Sequence, residues 1–176
     1  MKTVALYAGS FDPLTLGHLD ILNKAVMTFD MVYVAIGQNP VKRGFFPVEQ
    51  RMDLISSSIV ESGKSAIIDA VNSDRLVIDS YQGISIIRYA NQIGATHIVR
   101  GLRQAGDFND EFALTGTATH LDSDIIFTHF IGNEKFLHVS SSTARELASL
   151  SEDISWLVTP SVADALEDRY QSQRGE

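Results

Sequence analysis

Apolar positions in this chain alternate between short continuous runs and helical spacing, and that alternation predicts most of its elements. Val4 to Ala8 is an uninterrupted apolar run that reads as a buried strand, broken at Gly9-Ser10 and turned through Asp12-Pro13. Leu19, Leu22, Val26 and Phe29 then recur at helical spacing. Met31 to Gly37 is the next strand, apolar on both faces as in a parallel sheet, and Gln38 to Phe46 reads as a loop. Pro47 opens a helix marked by Val48, Met52, Ile55 and Ile59. Ser65 to Val71 fits either a strand or a short helical piece, whereas Leu76 to Asp79 is a strand and Tyr81-Gln82-Gly83 a turn. Ile84, Ile87, Ala90 and Ile93 give a helix that ends at Gly94, and Thr96 to Val99 a further strand. Asp107 to Leu121 reads as helix, Ile125 to Thr128 as strand and Ser140 to Leu150 as helix. Thr159-Pro160 caps a last helix carrying Val162, Leu166 and Tyr170, with Gln171 to Glu176 as a frayed tail.

Strand and helix alternate with no internal repeat, which predicts an α/β fold: a doubly wound parallel sheet with right-handed crossovers. Such sheets bind ligands in the crevice beyond the carboxyl ends of their strands. Ser10, Lys42, Arg100 and Arg103 each follow a predicted strand, so the fold should bring them together.

A length of 176 residues supports one sizeable core, and we expect a single domain over 1–176. The net charge of −8 argues against a nucleic-acid partner, and it means that an anionic ligand must be met by local basic residues. There is no cysteine, which excludes disulfides, thiolate metal sites and thiol nucleophiles. No apolar run reaches the roughly eighteen residues of a membrane span and no leader pattern precedes the first strand, so the expected location is cytoplasmic.

The stretch from Val4 to His18 is a strand, a glycine-containing turn and a helix start, and this arrangement presents free backbone N–H groups and a positive helix end to phosphate. His18 stands at that end, able to donate a hydrogen bond to a phosphate oxygen. Arg100-Gly101-Leu102-Arg103 sets two arginines at the end of a strand, where an unpartnered guanidinium is costly to bury but well suited to phosphate. Ser140-Ser141-Ser142 at a helix start can cap the helix and bind an anion together. His97, His120, His129 and His138 show no metal-ligand spacing and read as packing or surface residues.

The string Gly-Ser-Phe-Asp-Pro-Leu-Thr-x-Gly-His at 9–18 resembles the signature of the nucleotidyltransferases that join a nucleoside monophosphate to a phosphorylated acceptor, and within them most closely the phosphopantetheine adenylyltransferases. The strings at 98–103, 107–111 and 139–142 follow in that family's order. The resemblance implies a Rossmann-like fold and transfer of AMP from ATP to 4′-phosphopantetheine. Nicotinate mononucleotide or a polyol phosphate is an alternative acceptor, and a nucleotide-sensing module without catalysis a rival of another class.

Residue by residue, the resemblance gives catalytic roles to His18, Lys42 and Arg103 and acceptor contacts to Ser10, Lys42, Ile86 and Arg100. It gives ATP contacts to Ser10, Phe11, His18, Gly101, Leu102, Arg103 and Glu111, and to Phe136, Leu137, His138, Val139, Ser140, Ser141 and Ser142. It further implies Mg²⁺ arriving with ATP, a homohexamer and coenzyme A as feedback inhibitor. Four departures stand out: Ser10 replaces the family's threonine, Asn109 a usual glutamate, the helix from Phe112 to His120 lacks the family's Gln- and Asn-rich run, and the segment from Glu61 to Ile87 is longer than usual.

Overall fold

The computed structural model describes residues 2–38, 41, 43–103, 105–120 and 124–174, with positions 105, 110, 114, 117, 119 and 173 given by backbone alone. Five parallel strands, β1 (Val4–Gly9), β2 (Met31–Gln38), β3 (Leu76–Gln82), β4 (His97–Leu102) and β5 (Ile126–Ile131), lie in the order β3-β2-β1-β4-β5. The chain builds outward from β1 to β3, then returns to place β4 on the other side of β1. The order therefore reverses between β1 and β4, which is where such sheets open a ligand crevice.

Alternate residues of the central strands feed two cores. Ala5, Tyr7, Val32, Val34, Ile36 and Val99 pack beneath α1 (Leu16–Thr28), α2 (Val48–Glu61) and α3 (Ser65–Asn72). Leu6, Ala8, Ala35 and Ile98 pack on the other face with α4 (Ile86–Gln92) and Ala118 of α5 (Ala105–Thr119). This two-sided burial explains why the inner strands read as continuous apolar runs. A third cluster joins Phe46, Leu54 and Phe136 to α6 (Ser141–Ser149) and α7 (Pro160–Arg174). Among the described residues no helix is long and apolar enough to cross a membrane.

Several boundaries differ from the sequence reading. Residues 65–72 are helical: Ile67 and Ala70 are buried three residues apart, a helical period that a strand cannot present to one core. Tyr81 and Gln82 continue β3, pairing with Gly37 and Gln38, and the turn comes at Gly83 with φ +75°. Helix α4 begins at Ile86, capped by the Ser85 hydroxyl, which accepts a hydrogen bond from Arg88 N. Arg100 lies inside β4, paired with His129, so only Arg103 follows the strand. Gln171 to Arg174, read as a frayed tail, extend α7, where Arg174 Nη1 donates to Ser151 Oγ at 3.2 Å.

Candidate active site

Helix α1 starts with a reciprocal cap that fixes His18. Thr15 is the N-cap in extended backbone (φ −128°, ψ 166°), and its hydroxyl oxygen accepts from His18 N at 3.4 Å. In return Thr15 N donates to His18 Nδ1 at 3.1 Å. A backbone N–H can only donate, so Nδ1 carries a lone pair and the ring proton resides on Nε2. Burial, reinforced by the Arg103 charge, lowers the imidazole from 6.5 to about 4. At neutral pH His18 is therefore an uncharged ring with an Nε2–H donor.

That donor belongs to a cavity of about 210 Å³ lined by Ala8 and Gly9 at the end of β1, Gly17 and His18 of α1, and Arg100, Gly101 and Arg103 from β4 onward. Phe11 completes this end of the cavity, with φ +43° in its backbone and its ring edge-on to His18 at 5.2 Å between centroids. A Cβ on Gly9 would stand 3.1 Å from the Phe11 ring, so the glycine is what lets that ring settle onto β1. Gly101 plays the same part for Ile21, whose Cγ1 would lie 2.9 Å from an added Cβ.

Both arginines are held by carboxylates of α5. Arg100 donates from Nε to the two Glu111 oxygens at 2.9 and 2.8 Å, from Nη2 to Oε1 at 2.6 Å and from Nη1 to Ala8 O at 3.2 Å. Arg103 N donates to Asp107 Oδ2 at 2.8 Å, its Nε lies 3.7 Å from the same oxygen, and Nη1 donates to Val139 O at 2.7 Å. Tyr7 lines the cavity as a neutral phenol, pushed up by burial against the lowering influence of Arg100 and Arg103.

The turn after β1 is braced by residues from two distant stretches of the chain, 45–51 and 141–145. Asp12 accepts from Phe45 N at 2.6 Å and Phe46 N at 2.9 Å, and its own carbonyl accepts from Arg145 Nη1. Arg51 Nη1 donates to Ser10 O at 2.8 Å, and Ser141 Oγ donates to Pro13 O at 2.7 Å. Ser140 caps α6 by accepting from Thr143 N at 3.0 Å, as the serine run predicts.

Of the residues singled out in the sequence, Phe11, His18, Arg100, Gly101, Arg103, Glu111 and Val139 line this one cavity. Ser10 faces a neighbouring cavity with Gly37, Gln38, Arg43 and Gln82. Phe136 is buried in the third core cluster, Leu137 and Ser141 are half-buried, and His138 and Ser142 are exposed. Leu102 ends β4, and Ile86 packs half-buried on the second core. Lys42 lies outside the described residues.

Comparison with known proteins gives the chain a family and a fold. A cytidylyltransferase-like family model matches residues 6–147, from β1 to α6. A curated relative named phosphopantetheine adenylyltransferase, from Roseiflexus sp. (strain RS-1), is 39% identical over 168 residues, covering 96% of this chain and 98% of its own length. The chain belongs to the phosphopantetheine adenylyltransferase family. Its Roseiflexus castenholzii counterpart is equally similar, at 39% over 168 residues. Solved structures share the fold at lower identity. A putative nicotinate-nucleotide adenylyltransferase from Vibrio parahaemolyticus superposes with a TM-score of 0.68 at 18% identity, covering 97% of this chain and 96% of that one. A Plasmodium falciparum nicotinic acid mononucleotide adenylyltransferase gives 0.68 at 16%, covering 97% and 98%.

Sequence reasoning missed the residues that hold the site together. Thr15 had a local signal, a threonine three residues before His18 at a helix start. Asp107 had one too, four residues after Arg103. Asp20 had one in Lys24, four residues on, whose Nζ donates to it at 2.7 Å, but its second donor, Asn133 N at 2.9 Å, is distant in the chain, as are the partners of Arg51 and Arg145, which had none.

Proposed function

We propose that this chain transfers the adenylyl group of ATP to 4′-phosphopantetheine, giving dephospho-coenzyme A and pyrophosphate. The observation that carries this reading is the meeting of His18, Arg100 and Arg103 on one cavity at the reversal of strand order, in a chain of this family. An oxygen of the acceptor phosphate attacks the α-phosphorus, and the bond from that phosphorus to the oxygen bridging to the β-phosphate breaks. The attacking phosphate is already ionised, so no general base is needed and catalysis reduces to positioning and charge.

His18 donates its Nε2 proton as a hydrogen bond to an α-phosphate oxygen while charge accumulates there. The Thr15 cap holds the ring ready, so little reorganisation accompanies the reaction. Arg103, braced by Asp107 and Val139 O, offsets charge on the transferring group. Arg100 and Lys42 hold the acceptor phosphate, with Ser10 and Ile86 along the acceptor's path. Phe11, Gly101, Leu102, Glu111 and the segment from Phe136 to Ser142 receive ATP.

Mg²⁺ enters with ATP, held mainly by phosphate oxygens. The cavity carboxylates Asp107 and Glu111 are engaged by Arg103 and Arg100 and form no cage for it, so no step here runs through the ion. A homohexameric state, a cytoplasmic location and feedback by coenzyme A belong to the same reading through the family.

The test is pyrophosphate release from ATP with 4′-phosphopantetheine, nicotinate mononucleotide and glycerol phosphate offered separately. Turnover with phosphopantetheine alone is the expected result. Turnover only with another acceptor would overturn the substrate, and ATP binding without turnover on any acceptor would overturn catalysis.

A further inference from the structure

We propose that His129 is a positioning residue for Arg100: it takes over the Glu111 carboxylate when the guanidinium turns onto the acceptor phosphate. The inference rests on the reading of Arg100 as an acceptor-binding residue.

Arg100 and His129 are direct partners in the β4–β5 register, so their side chains leave the same face of the sheet. Glu111 of α5 reaches down to both. It already receives three hydrogen bonds from Arg100, whose remaining arm donates to Ala8 O at 3.2 Å. In this arrangement the carboxylate neutralises the arginine. Nε and one Nη2 hydrogen are spent on Glu111 and one Nη1 hydrogen on Ala8 O, so turning the Nε–Nη2 edge of the fork onto a second anion means giving up part of the hold on Glu111.

The difficulty is what happens to Glu111, whose side chain is only 12% exposed. A buried carboxylate that loses its partner is strongly penalised. The groove beside it is lined mainly by Phe108, Phe112, Ile125 and Phe127, with Thr115 adding a neutral hydroxyl but no charge. His129 lines the same groove, and its Nε2 lies 3.9 Å from Glu111 Oε2. That nitrogen is buried, and among the described residues none forms a hydrogen bond with it.

A small ring movement closes the gap to an N–H···O bond. The carboxylate then passes from arginine to histidine, and the N–H groups freed on Arg100 go to the phosphate. No covalent bond changes, and the catalytic donor on His18 is untouched.

Steady-state kinetics on wild type, His129→Phe and His129→Gln, each alone and with Glu111→Gln, separates this role from packing. His129→Phe is expected to raise KM for 4′-phosphopantetheine about ten-fold, with kcat and KM for ATP unchanged. His129→Gln, which restores an N–H donor, should return that KM to within about three-fold of wild type. In the Glu111→Gln background the carboxylate needs no second partner, so His129→Phe should add nothing. Matching melting curves identify variants that have kept their fold.

A KM for His129→Phe within about two-fold of wild type would overturn the proposal, as would the same loss in the Glu111→Gln background. Failure of wild type to use phosphopantetheine at all would instead overturn the functional reading on which the inference stands.

Discussion

Three substitutions at His18 separate the two jobs its ring performs. Nδ1 accepts the Thr15 N–H at 3.1 Å and so closes the helix cap, while Nε2 carries the proton that faces the cavity. An asparagine places its amide atoms at the same bond count from the backbone as Nδ1. A glutamine places them at that of Nε2. His18→Asn should therefore keep the cap and lose the donor, and His18→Gln the reverse. Loss of a preorganised donor to developing charge costs about 3–4 kcal/mol, or roughly 10²–10³ in kcat. Loss of the cap costs about 1 kcal/mol, which at this length lowers Tm by about 2–4 °C.

The expected pattern in pyrophosphate release and thermal melting is then crossed. His18→Asn loses about 10²–10³ in kcat at near-native Tm, while His18→Gln loses only about ten-fold but melts about 2–4 °C lower. His18→Ala should show both losses. If His18→Asn keeps kcat within about ten-fold of wild type, or a folded His18→Gln is as slow as His18→Ala, the assignment of the proton to Nε2 is refuted.

Other outcomes follow from the same geometry. Lowering of the His18 pKa to about 4 means that the unfolded chain binds its proton first as pH falls below 6.5. Stability linked to this group is therefore intact above pH 6.5 and lost between there and about 4; with the ring open to the cavity on one side, about 1–3 kcal/mol is at stake. Urea titrations should show this loss in wild type and not in His18→Gln, and the wild-type ring resonances should stay unshifted from pH 8 to about 5.5. Gly101→Ala drives a methyl to within 2.9 Å of Ile21 Cγ1 and should cost about 1–3 kcal/mol in denaturant titrations, most of it recovered in combination with Ile21→Ala. Asp12→Ala strips the acceptor from Phe45 N and Phe46 N and should destabilise by about 2–4 kcal/mol, read as a drop in Tm of roughly 4–16 °C.

Much of the fold was legible because both-face burial turns the inner strands into unbroken apolar runs, and Val4 to Gly9 and Met31 to Gln38 stand close to where the pattern put them. Ends were harder. Arg100 reads as a residue beyond its strand because it is charged, yet β4 continues through it since Glu111 compensates the guanidinium. The pairing itself could not be read, because the two residues lie eleven positions apart on different elements. Residues 65–72 were ambiguous because a short apolar piece carries too few periods to choose between helix and strand. The cavity was anticipated through local strings at its chain reversals, whereas its bracing by Arg51, Arg145 and Ser141 depends on contacts that only the folded chain creates.

Label tracing tests the central claim most directly. With 4′-phosphopantetheine as acceptor, ATP carrying radiolabel in its α-phosphate should pass the label to the nucleotide product, and ATP labelled in its γ-phosphate should release it as pyrophosphate. Label from the γ-phosphate appearing in the acceptor product, or as inorganic phosphate formed directly, would contradict adenylyl transfer.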